Sequence, residues 1–515
     1  MSKANKIAQS AMMISVFTLV SKMLGFVREM LIASKYGAGF ETDTYFVAMT
    51  ATTMIMTAAG SALNTSLVPV FTEVEETRGR KGKLQFLNNI LNVVFFLSLT
   101  IAILGYFLSP LIIKIVAGGF EGEQFALAVK LNRLGLPIVV FLGFTYVFSG
   151  FLHSSQVFGP PAIMGLPYNL IFIVFLLFMA DKDNIHALMI TSVLASSTQF
   201  LIQLPAVRHR GFRYSLGANL NDSYIKKTLT LALPVLLGSA VQQINTIVDK
   251  TLASNLVEGS ISALNYSAKI NDVVVSVFIA AITTVIFPML SRAFSQGDNA
   301  QVKQIMSQGI NIILLITVPA TIGIMVLAEP IVSIFFERGQ FTAKDTIMTS
   351  QALFFYSLGL VGISLRLMLN KVFYSLQDTK TPMINGALSV GLNIILNLIF
   401  IRFMAHGGLA FATSISTTFT SIMLFISLRK KIGPIGLKGY MRCLIKTLAA
   451  ALVMGMVVYL VFYGLTDRYD FSKLFETLIL LLSIGLGVVV YFTLCIIFKV
   501  KELKVLLGGF VRNKS

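Results

Sequence analysis

Three charged side chains lie inside the first long apolar segment of the chain, at Lys22, Arg28 and Glu29. Lys22, Gly25 and Glu29 follow i, i+3, i+7 spacing, so they share one face of a helix, with Arg28 beside it. A charge at the bilayer centre costs at least about 2.5–3.5 kcal/mol on insertion scales, so these side chains must face protein or water. Two interpretations stay open: a salt bridge that joins two helices, or a cationic wall along a transport path.

Further charges occur in other apolar segments. Lys269 and Asp272 form an i, i+3 pair, and Asp43 lies at the outer mouth of the second segment. A cavity with Lys22, Arg28 and Lys269 as its innermost charges should attract an anion such as phosphate or pyrophosphate. Both residue types serve this purpose, lysine as a point charge and arginine as a bidentate fork.

A second group of polar residues could hold a cation. Asn393 and Asn397 are one turn apart, Thr413 follows in the next segment, and Asp249 lies in an earlier one. Carboxylate, amide and hydroxyl oxygens of this kind could bind a sodium ion. Polar contacts between helices explain the asparagines equally well. For Asp249 the competing interpretation is an ion pair with Lys250 at the outer end of its helix.

Composition places the chain in a membrane. Of its 515 residues, 56% are hydrophobic and only 12% are charged, about half the charged fraction of a soluble protein. The two cysteines have no metal-type spacing, so neither a disulfide framework nor a zinc site is expected. The net charge of +18 is explained by basic cytoplasmic loops rather than by nucleic-acid binding.

Apolar segments long enough to span a bilayer alternate with short polar loops and predict fourteen transmembrane helices. The predicted spans are 9–35, 43–71, 86–115, 126–151, 161–180, 185–207, 226–253, 259–289, 305–328, 349–374, 382–403, 408–428, 441–464 and 474–498. Basic residues concentrate in alternate loops, as in Arg78–Lys83, Arg208–Lys227 and Arg429–Lys438. The positive-inside rule therefore predicts that both termini are cytoplasmic.

An internal repeat with an offset of about 220 residues divides the chain. Leu152–Gln156, followed by Pro161, matches Phe373–Gln377, followed by Pro382. The repeat predicts two pseudo-symmetric six-helix lobes of the same orientation, a fold that can expose a central site alternately to each side. The predicted divisions are an N-lobe over 1–220, a C-lobe over 221–440, and a C-terminal part over 441–515 with two extra helices and a cytoplasmic tail. Lys22 and Lys269 would then project from opposite lobes into one central space.

No sequence motif for catalysis is found. The chain has no G-x-x-x-x-G-K-[ST], nucleophile elbow, H-E-x-x-H or C-x-x-C. We therefore expect no enzyme activity, no cofactor and no catalytic metal. Energy for transport would come from an ion gradient, the membrane potential or the substrate gradient, and one charge moved through the membrane is worth about 2.3 kcal/mol per 100 mV.

Several motifs resemble the MurJ/MviN family of lipid II flippases. They are SKMLGFVRE at Ser21–Glu29, YGAG at Tyr36–Gly39, TDTYFVA at Thr42–Ala48, FERGQFT at Phe336–Thr342 and FYSLQDTKTP at Phe373–Pro382. Together with the fourteen spans, the resemblance covers essentially the whole chain.

The resemblance implies the fold of the multidrug/oligosaccharidyl-lipid/polysaccharide exporter superfamily, with a groove for a polyprenyl tail formed by spans 13 and 14. It implies that an undecaprenyl-pyrophosphate-linked peptidoglycan precursor moves from the inner to the outer leaflet of a bacterial cytoplasmic membrane. The family's helix-1 arginine and acid match Arg28 and Glu29, and its helix-2 aspartate matches Asp43. Its proposed sodium site would map to the residues that follow: Asp249, Asn393, Asn397 and Thr413.

Two departures from the family pattern leave the substrate open. Thr50–Thr57 carries no charge where the family has an arginine on helix 2, and Lys269 stands where the family has an arginine on helix 8. Our interpretation is a monomeric lipid II flippase in which Lys22, Arg28 and Lys269 hold the pyrophosphate. The alternatives are a flippase for another lipid-linked oligosaccharide, an ion-coupled small-molecule exporter, and a scaffold without transport activity.

Overall fold

The computed structural model describes residues 3–181, 184–217, 219–466, 472–500 and 503. Within these residues all regular secondary structure is helical, which confirms the predicted all-α class. Most of the predicted cytoplasmic tail lies outside the described residues.

Nine helices precede residue 254. They are α1 (Lys3–Tyr36), α2 (Phe40–Val116), α3 (Gly122–Gly135), α4 (Pro137–Ser154), α5 (Gly159–Ile163), α6 (Gly165–Phe178), α7 (Ile185–Leu201), α8 (Leu204–His209) and α9 (Ser223–Ala253).

Nine more helices follow, with a π-helix at Val275–Ile279 between the first two. They are α10 (Ser260–Val274), α11 (Ala280–Ser295), α12 (Asn299–Val326), α13 (Ala328–Phe336), α14 (Ala343–Ser357), α15 (Leu360–Ser375), α16 (Lys380–Ile432), α17 (Leu437–Thr466) and α18 (Lys473–Ile497).

Much of the helical surface is suited to lipid. In the described part of the chain, nine helical segments are long and apolar enough to cross a membrane, or ten if α14 and α15, bent by 46°, form one span. Large apolar side chains such as Phe107, Phe178 and Phe403 are more than 70% exposed. Surface of this kind would be unfavourable in water and indicates a membrane environment.

The two longest helices are bent at single residues. α2 has 77 residues and is broken by the backbone of Gly79, while α16 has 53 residues and is broken at Ala405. About 20 residues suffice to cross a bilayer, so each helix is long enough for two crossings joined at its kink. Both kinks fall in loops that the hydropathy pattern predicts.

The described chain packs as two compact units. The first is Met1–Ser262 with the short segment Arg338–Phe341, and the second is Ala263–Glu337 with Thr342–Ser515. The first unit extends beyond the predicted lobe boundary at residue 220 because α9 packs against α2, with the Thr251 hydroxyl donating to the carbonyl of Ile115. The boundary between the two packed units therefore differs from the lobe boundary that the sequence repeat predicts.

Each unit has its own apolar core. In the first, the Phe71 ring packs at 5.0 Å from Phe86 and 5.6 Å from Phe151, centroid to centroid. In the second, buried residues of α11, α12, α15, α16, α17 and α18 form one cluster that includes Met368 and Leu424. The additional helices α17 and α18 therefore share the core of the second unit.

The internal repeat has a structural counterpart at two helix ends. Gln156 and Gln377, which are 221 positions apart, both have left-handed backbone angles, with φ of 56° and 57°. In each case the next residue donates its N–H to the carbonyl five positions earlier, from Val157 to Leu152 and from Asp378 to Phe373. The same chain reversal therefore ends α4 and α15.

Candidate substrate site

Arg28 lies at the centre of a buried polar cluster in the first unit. Its Nη2 donates to Glu29 Oε1 at 2.7 Å and its Nη1 donates to Asn169 Oδ1 at 3.1 Å. The guanidinium carbon also lies 5.3 Å and 5.1 Å from the ring centroids of Tyr168 and Phe172. α1 and α6 thus provide an acid, an amide and two aromatic faces around one cation.

Asn169 fixes the position of this cluster through its other polar atom. Its Nδ2 donates to the carbonyl of Ser21 on α1 and to that of Gly165 on its own helix, both at 2.9 Å. A β-carbon on Gly165 would lie 2.0 Å from the Ser21 hydroxyl oxygen, so glycine allows α1 and α6 to approach closely here. The close approach brings Asn169 within reach of Arg28.

Burial distinguishes the members of the cluster. Glu29 is only 3% exposed, whereas the Arg28 side chain retains 17% of its exposure. Arginine has five N–H donors, more than Glu29 and Asn169 accept, so Arg28 can bind a further anion at its accessible side. Lys22, two turns earlier on α1, is exposed.

Asp43 joins the beginning of α2 to the beginning of α10. Its carboxylate, only 3% exposed, accepts from the N–H of Gly259 at 2.8 Å and the N–H of Ser262 at 2.7 Å. The hydroxyl of Ser262 also donates to it, at 2.6 Å. These donors are at a helix N-terminus, where an anion is favoured. The described hydrogen bonds therefore give Asp43 a capping contact at the start of α10.

The segment Arg338–Phe341 contacts the end of α1. The N–H of Gln340 donates to the carbonyl of Ser34 at 2.9 Å. A β-carbon on Gly339 would lie 2.2 Å from the same carbonyl oxygen, and Gly339 has φ of 62°, so only glycine suits this position. The FERGQFT motif thus supplies a chain segment that packs on α1.

Lys269 and Asp272 lie on α10 in the second unit. Lys269 Nζ is 3.9 Å from Asp272 Oδ2, and the side chains are 38% and 70% exposed. An ion pair this open contributes little to stability, so both groups can interact with other charges. The π-helix Val275–Ile279 begins three residues after Asp272, and π-helical turns often occur at functional sites.

Three of the four candidate sodium ligands form one cluster in the second unit. Asn397 Nδ2 donates to Asn393 Oδ1 at 2.9 Å, and Asn393 Nδ2 donates to Thr413 Oγ1 at 3.4 Å. Both asparagines are buried. Asp249 belongs to the first unit, where its Oδ2 accepts from Asn245 at 3.3 Å. In the described residues no group of three or more His, Cys, Asp or Glu could hold a metal.

Sequence reasoning missed the partners that position the predicted residues. Tyr168 and Asn169 are the polar residues in the middle of an otherwise apolar span, a signal that could have been noticed. Gly259 and Ser262 gave no comparable signal, because two of the three hydrogen bonds to Asp43 come from backbone N–H groups and only one comes from a side chain, the Ser262 hydroxyl.

The fold and the buried charges define the class of the protein: an all-helical membrane protein with charged groups buried among its helices. The same fold occurs in an inward-facing multidrug resistance MATE family transporter of the MOP superfamily, with a TM-score of 0.69. At 14% identity, over 82% of this chain and 98% of the transporter, that likeness shows the fold alone.

The family follows from the sequence. The profile described as lipid II flippase MurJ matches residues 32–480, and the chain belongs to that family. The lipid II flippase MurJ of Burkholderia cenocepacia is 28% identical over 453 residues, 86% of this chain and 87% of that protein. A solved structure described as lipid II flippase MurJ in an inward closed conformation has a TM-score of 0.79 and 25% identity, over 96% of this chain and all of that one. The resemblance predicted from the motifs is confirmed.

Proposed function

We propose that this protein is a flippase that moves lipid II, the lipid-linked peptidoglycan precursor, from the inner to the outer leaflet. Membership of the MurJ family supports this function, and one structural observation carries it: the Arg28–Glu29–Asn169 cluster holds a partly accessible guanidinium within the apolar first unit. Glu29 and Asn169 occupy only part of its N–H donors, so the accessible side of the guanidinium can take an anionic substrate group.

In the proposed mechanism Lys22, Arg28 and Lys269 bind the pyrophosphate of the substrate. Arg28 offers a planar fork that matches phosphate oxygens, and the two lysines add point charges. Glu29 holds the guanidinium in place before the substrate arrives and shares it afterwards. Asp272 and Asp43 are proposed to position Lys269 and α10, Asp272 through its 3.9 Å contact and Asp43 through its cap.

The proposed topology has fourteen transmembrane helices in a bacterial cytoplasmic membrane, with both termini in the cytoplasm. The lobes over 1–220 and 221–440 would alternate access to the site, and 441–515 would contribute a groove for the polyprenyl tail. Kinks at Gly79 and Ala405 support this count, because each divides a helix that is longer than two spans require. The working unit is proposed to be a monomer.

The energy source is proposed to be the membrane potential or an ion gradient. Sodium is the candidate coupling ion, with oxygen ligands from Asp249, Asn393, Asn397 and Thr413. Amide, hydroxyl and carboxylate oxygens are hard ligands that suit such an ion, and Asp249 would supply the negative charge. If lipid II transport persists without sodium but stops when the membrane potential is collapsed, the potential is the driving force and sodium is not required.

One observation favours a second substrate, another undecaprenyl-pyrophosphate-linked oligosaccharide. Thr50, Thr53 and Thr57 in α2 each donate to a carbonyl of the preceding turn, so this helix presents hydroxyls where the family has an arginine. A site with one cation fewer could select a different headgroup.

Complementation tests the proposed function. The wild-type chain should restore growth and external exposure of lipid II in a bacterium depleted of its own flippase, and Arg28→Ala should restore neither while inserting normally. Arg133→Ala is a matched control, because Arg133 contacts the carbonyl and ring of Tyr106 outside the cluster. Full rescue by Arg28→Ala would contradict the role of Arg28. Normal insertion of the wild-type chain without rescue would favour the second substrate.

A further inference from the structure

A long apolar groove lies in the second unit, apart from the candidate substrate residues. Its volume is about 830 Å³, within the range of ligand pockets. Side chains of α12, α15, α16 and α17 line it, among them Ile310, Val361, Leu365, Ile422, Phe425 and Leu444. None of the residues that line it belongs to α18, so it differs from the groove expected between the last two spans.

Two of the polar side chains that line the groove, Ser421 and Thr418, already have partners. The hydroxyl of Ser421 donates to the carbonyl of Gly362 at 2.6 Å, and the hydroxyl of Thr418 donates to that of Ser414 at 2.9 Å. Most of the residues that line the walls are apolar, which suits a hydrocarbon chain.

The groove has the depth of a single leaflet. Along α16 it extends from Thr418 to Lys430, which at 1.5 Å per residue is about 18 Å. The hydrocarbon core of a bilayer is about 30 Å thick, so this length takes one acyl chain from the interface to just past the midplane.

One end of the groove is cationic. Arg429 and Lys430 line it there, and both are exposed. The next residue, Lys431, is already paired with Asp378 at 2.7 Å. An arginine fork beside a lysine point charge suits a phosphate group, and basic residues at the membrane surface attract anionic lipids.

We propose that this groove binds an anionic phospholipid, with an acyl chain along α16 and the headgroup phosphate on Arg429 and Lys430. The apolar walls suit an acyl chain. The depth of one leaflet suits a phospholipid better than a longer polyprenyl lipid. The adjacent cations Arg429 and Lys430 suit an anionic headgroup. The proposal does not depend on the transported substrate.

Lipid retention tests the proposal. The purified full chain is equilibrated with equal amounts of phosphatidylglycerol and phosphatidylcholine of the same acyl chains, and bound lipid is counted by native mass spectrometry. We expect phosphatidylglycerol to be retained in preference. Arg429→Gln and Lys430→Gln should each lower that preference about fivefold. The matched control is Arg208→Gln with Lys226→Gln, two exposed basic residues of the first unit, which should leave it unchanged.

A second variant separates the groove from general surface charge. Ile422 lines the groove and is 51% exposed, so Ile422→Trp should fill the space and reduce retention of both lipids while the basic residues stay. Equal retention of the two phospholipids by the wild type would overturn the proposal. So would displacement of phosphatidylglycerol by an equal concentration of a polyprenyl phosphate, because the groove would then belong to a longer lipid.

Discussion

Arg28 and Glu29 show how a single residue pair can be both stable and ready to bind. Glu29 compensates the charge of Arg28 at 2.7 Å, so the cation is not left unpaired in an apolar region. A phosphate that binds Arg28 replaces part of the interaction with Glu29 rather than meeting an unsatisfied charge. In the exchange that we propose, the aromatic rings of Tyr168 and Phe172, which lie against the guanidinium, would hold it in position.

Asn169 is the residue whose substitution tests this arrangement most directly. Asn169→Leu removes the hydrogen bond to Arg28 and those to the carbonyls of Ser21 and Gly165. A hydrogen bond to a charged group contributes about 1.5–3 kcal/mol, so transport should fall at least about tenfold. The rate at which lipid II becomes exposed on the outer face of complemented cells measures this loss of transport.

The matched control for Asn169 is Asn255→Leu. Asn255 is exposed and its Nδ2 donates to the Thr251 carbonyl one turn earlier. This variant should transport at the wild-type rate. Wild-type transport by Asn169→Leu at equal expression would show that Arg28 needs no positioning by α6.

At the scale of elements, helix ends do much of the positioning. The start of α10 depends on a carboxylate from α2, and the end of α1 contacts the segment Arg338–Phe341. The ends of α4 and α15 repeat one left-handed turn. The contacts of Asp43 with α10 and of Arg338–Phe341 with α1 join separate elements, so they help to fix where those elements lie.

The repeated turn predicts a gain in stability. A left-handed conformation costs about 1–2 kcal/mol for a residue with a β-carbon, and glycine avoids this cost. Gln156→Gly and Gln377→Gly should therefore each stabilise the protein by about 1 kcal/mol, seen as a higher unfolding midpoint in detergent. Gln304→Gly, inside α12, is the control and should destabilise by a similar amount. A lower unfolding midpoint for both glycine variants than for the wild type would contradict the left-handed conformation at Gln156 and Gln377.

The loop before α16 predicts a dependence on pH. Burial alone would raise the pKa of Asp378, but hydrogen bonds from Lys431 and Thr381 outweigh it and lower the pKa from 3.8 to about 2. A carboxyl whose pKa is lower in the folded state stabilises the fold above its unfolded pKa. That contribution is lost as the pH falls from about 4 towards 2.

Asp378→Asn tests this loop. At neutral pH the variant should unfold at a lower temperature than the wild type, and the difference should shrink as the pH approaches 2. Thermal unfolding in detergent across that range measures both curves. A constant difference between them would show that the ionisation of Asp378 does not contribute.

For the whole molecule, two apolar cores and an apolar outer surface explain why the chain needs a membrane. Each unit buries its own aromatic and aliphatic side chains, and large apolar residues also cover the outside. Basic residues gather in alternate loops, which is the sequence feature that sets orientation.

Orientation can be tested with single cysteines. The native Cys443 and Cys495 are buried, so they should react little with an impermeant thiol reagent. In intact cells Lys81→Cys should be protected, because its loop is basic and predicted to be cytoplasmic. Glu123→Cys, exposed at the start of α3, should be labelled. The reverse pattern, with both variants labelled after lysis, would mean that the termini face outwards.

The sequence alone determined the structural class, the candidate charged residues and the family, because hydropathy, charge and motifs can be read from short stretches of chain. Hydropathy predicted a helical membrane protein, and the kinks at Gly79 and Ala405 fall where polar loops interrupt the apolar runs. Arg28 and Glu29 were predicted as site residues because they lie inside a predicted span, where an uncompensated charge is costly. Motifs were sufficient to indicate the family.

Only the tertiary structure decided which groups those residues meet. Asn169 reaches Arg28 from a position 141 residues away, and Asp43 finds its donors 216 and 219 residues later. Hydrogen-bond partners at such separations depend on helix packing and on backbone N–H groups, which every residue type except proline carries, so no pattern of side chains reveals them. The packing of α9 with the first unit and the groove beside Arg429 also arise from packed surfaces. Sequence determines which residues need a partner, and packing determines which partner they receive.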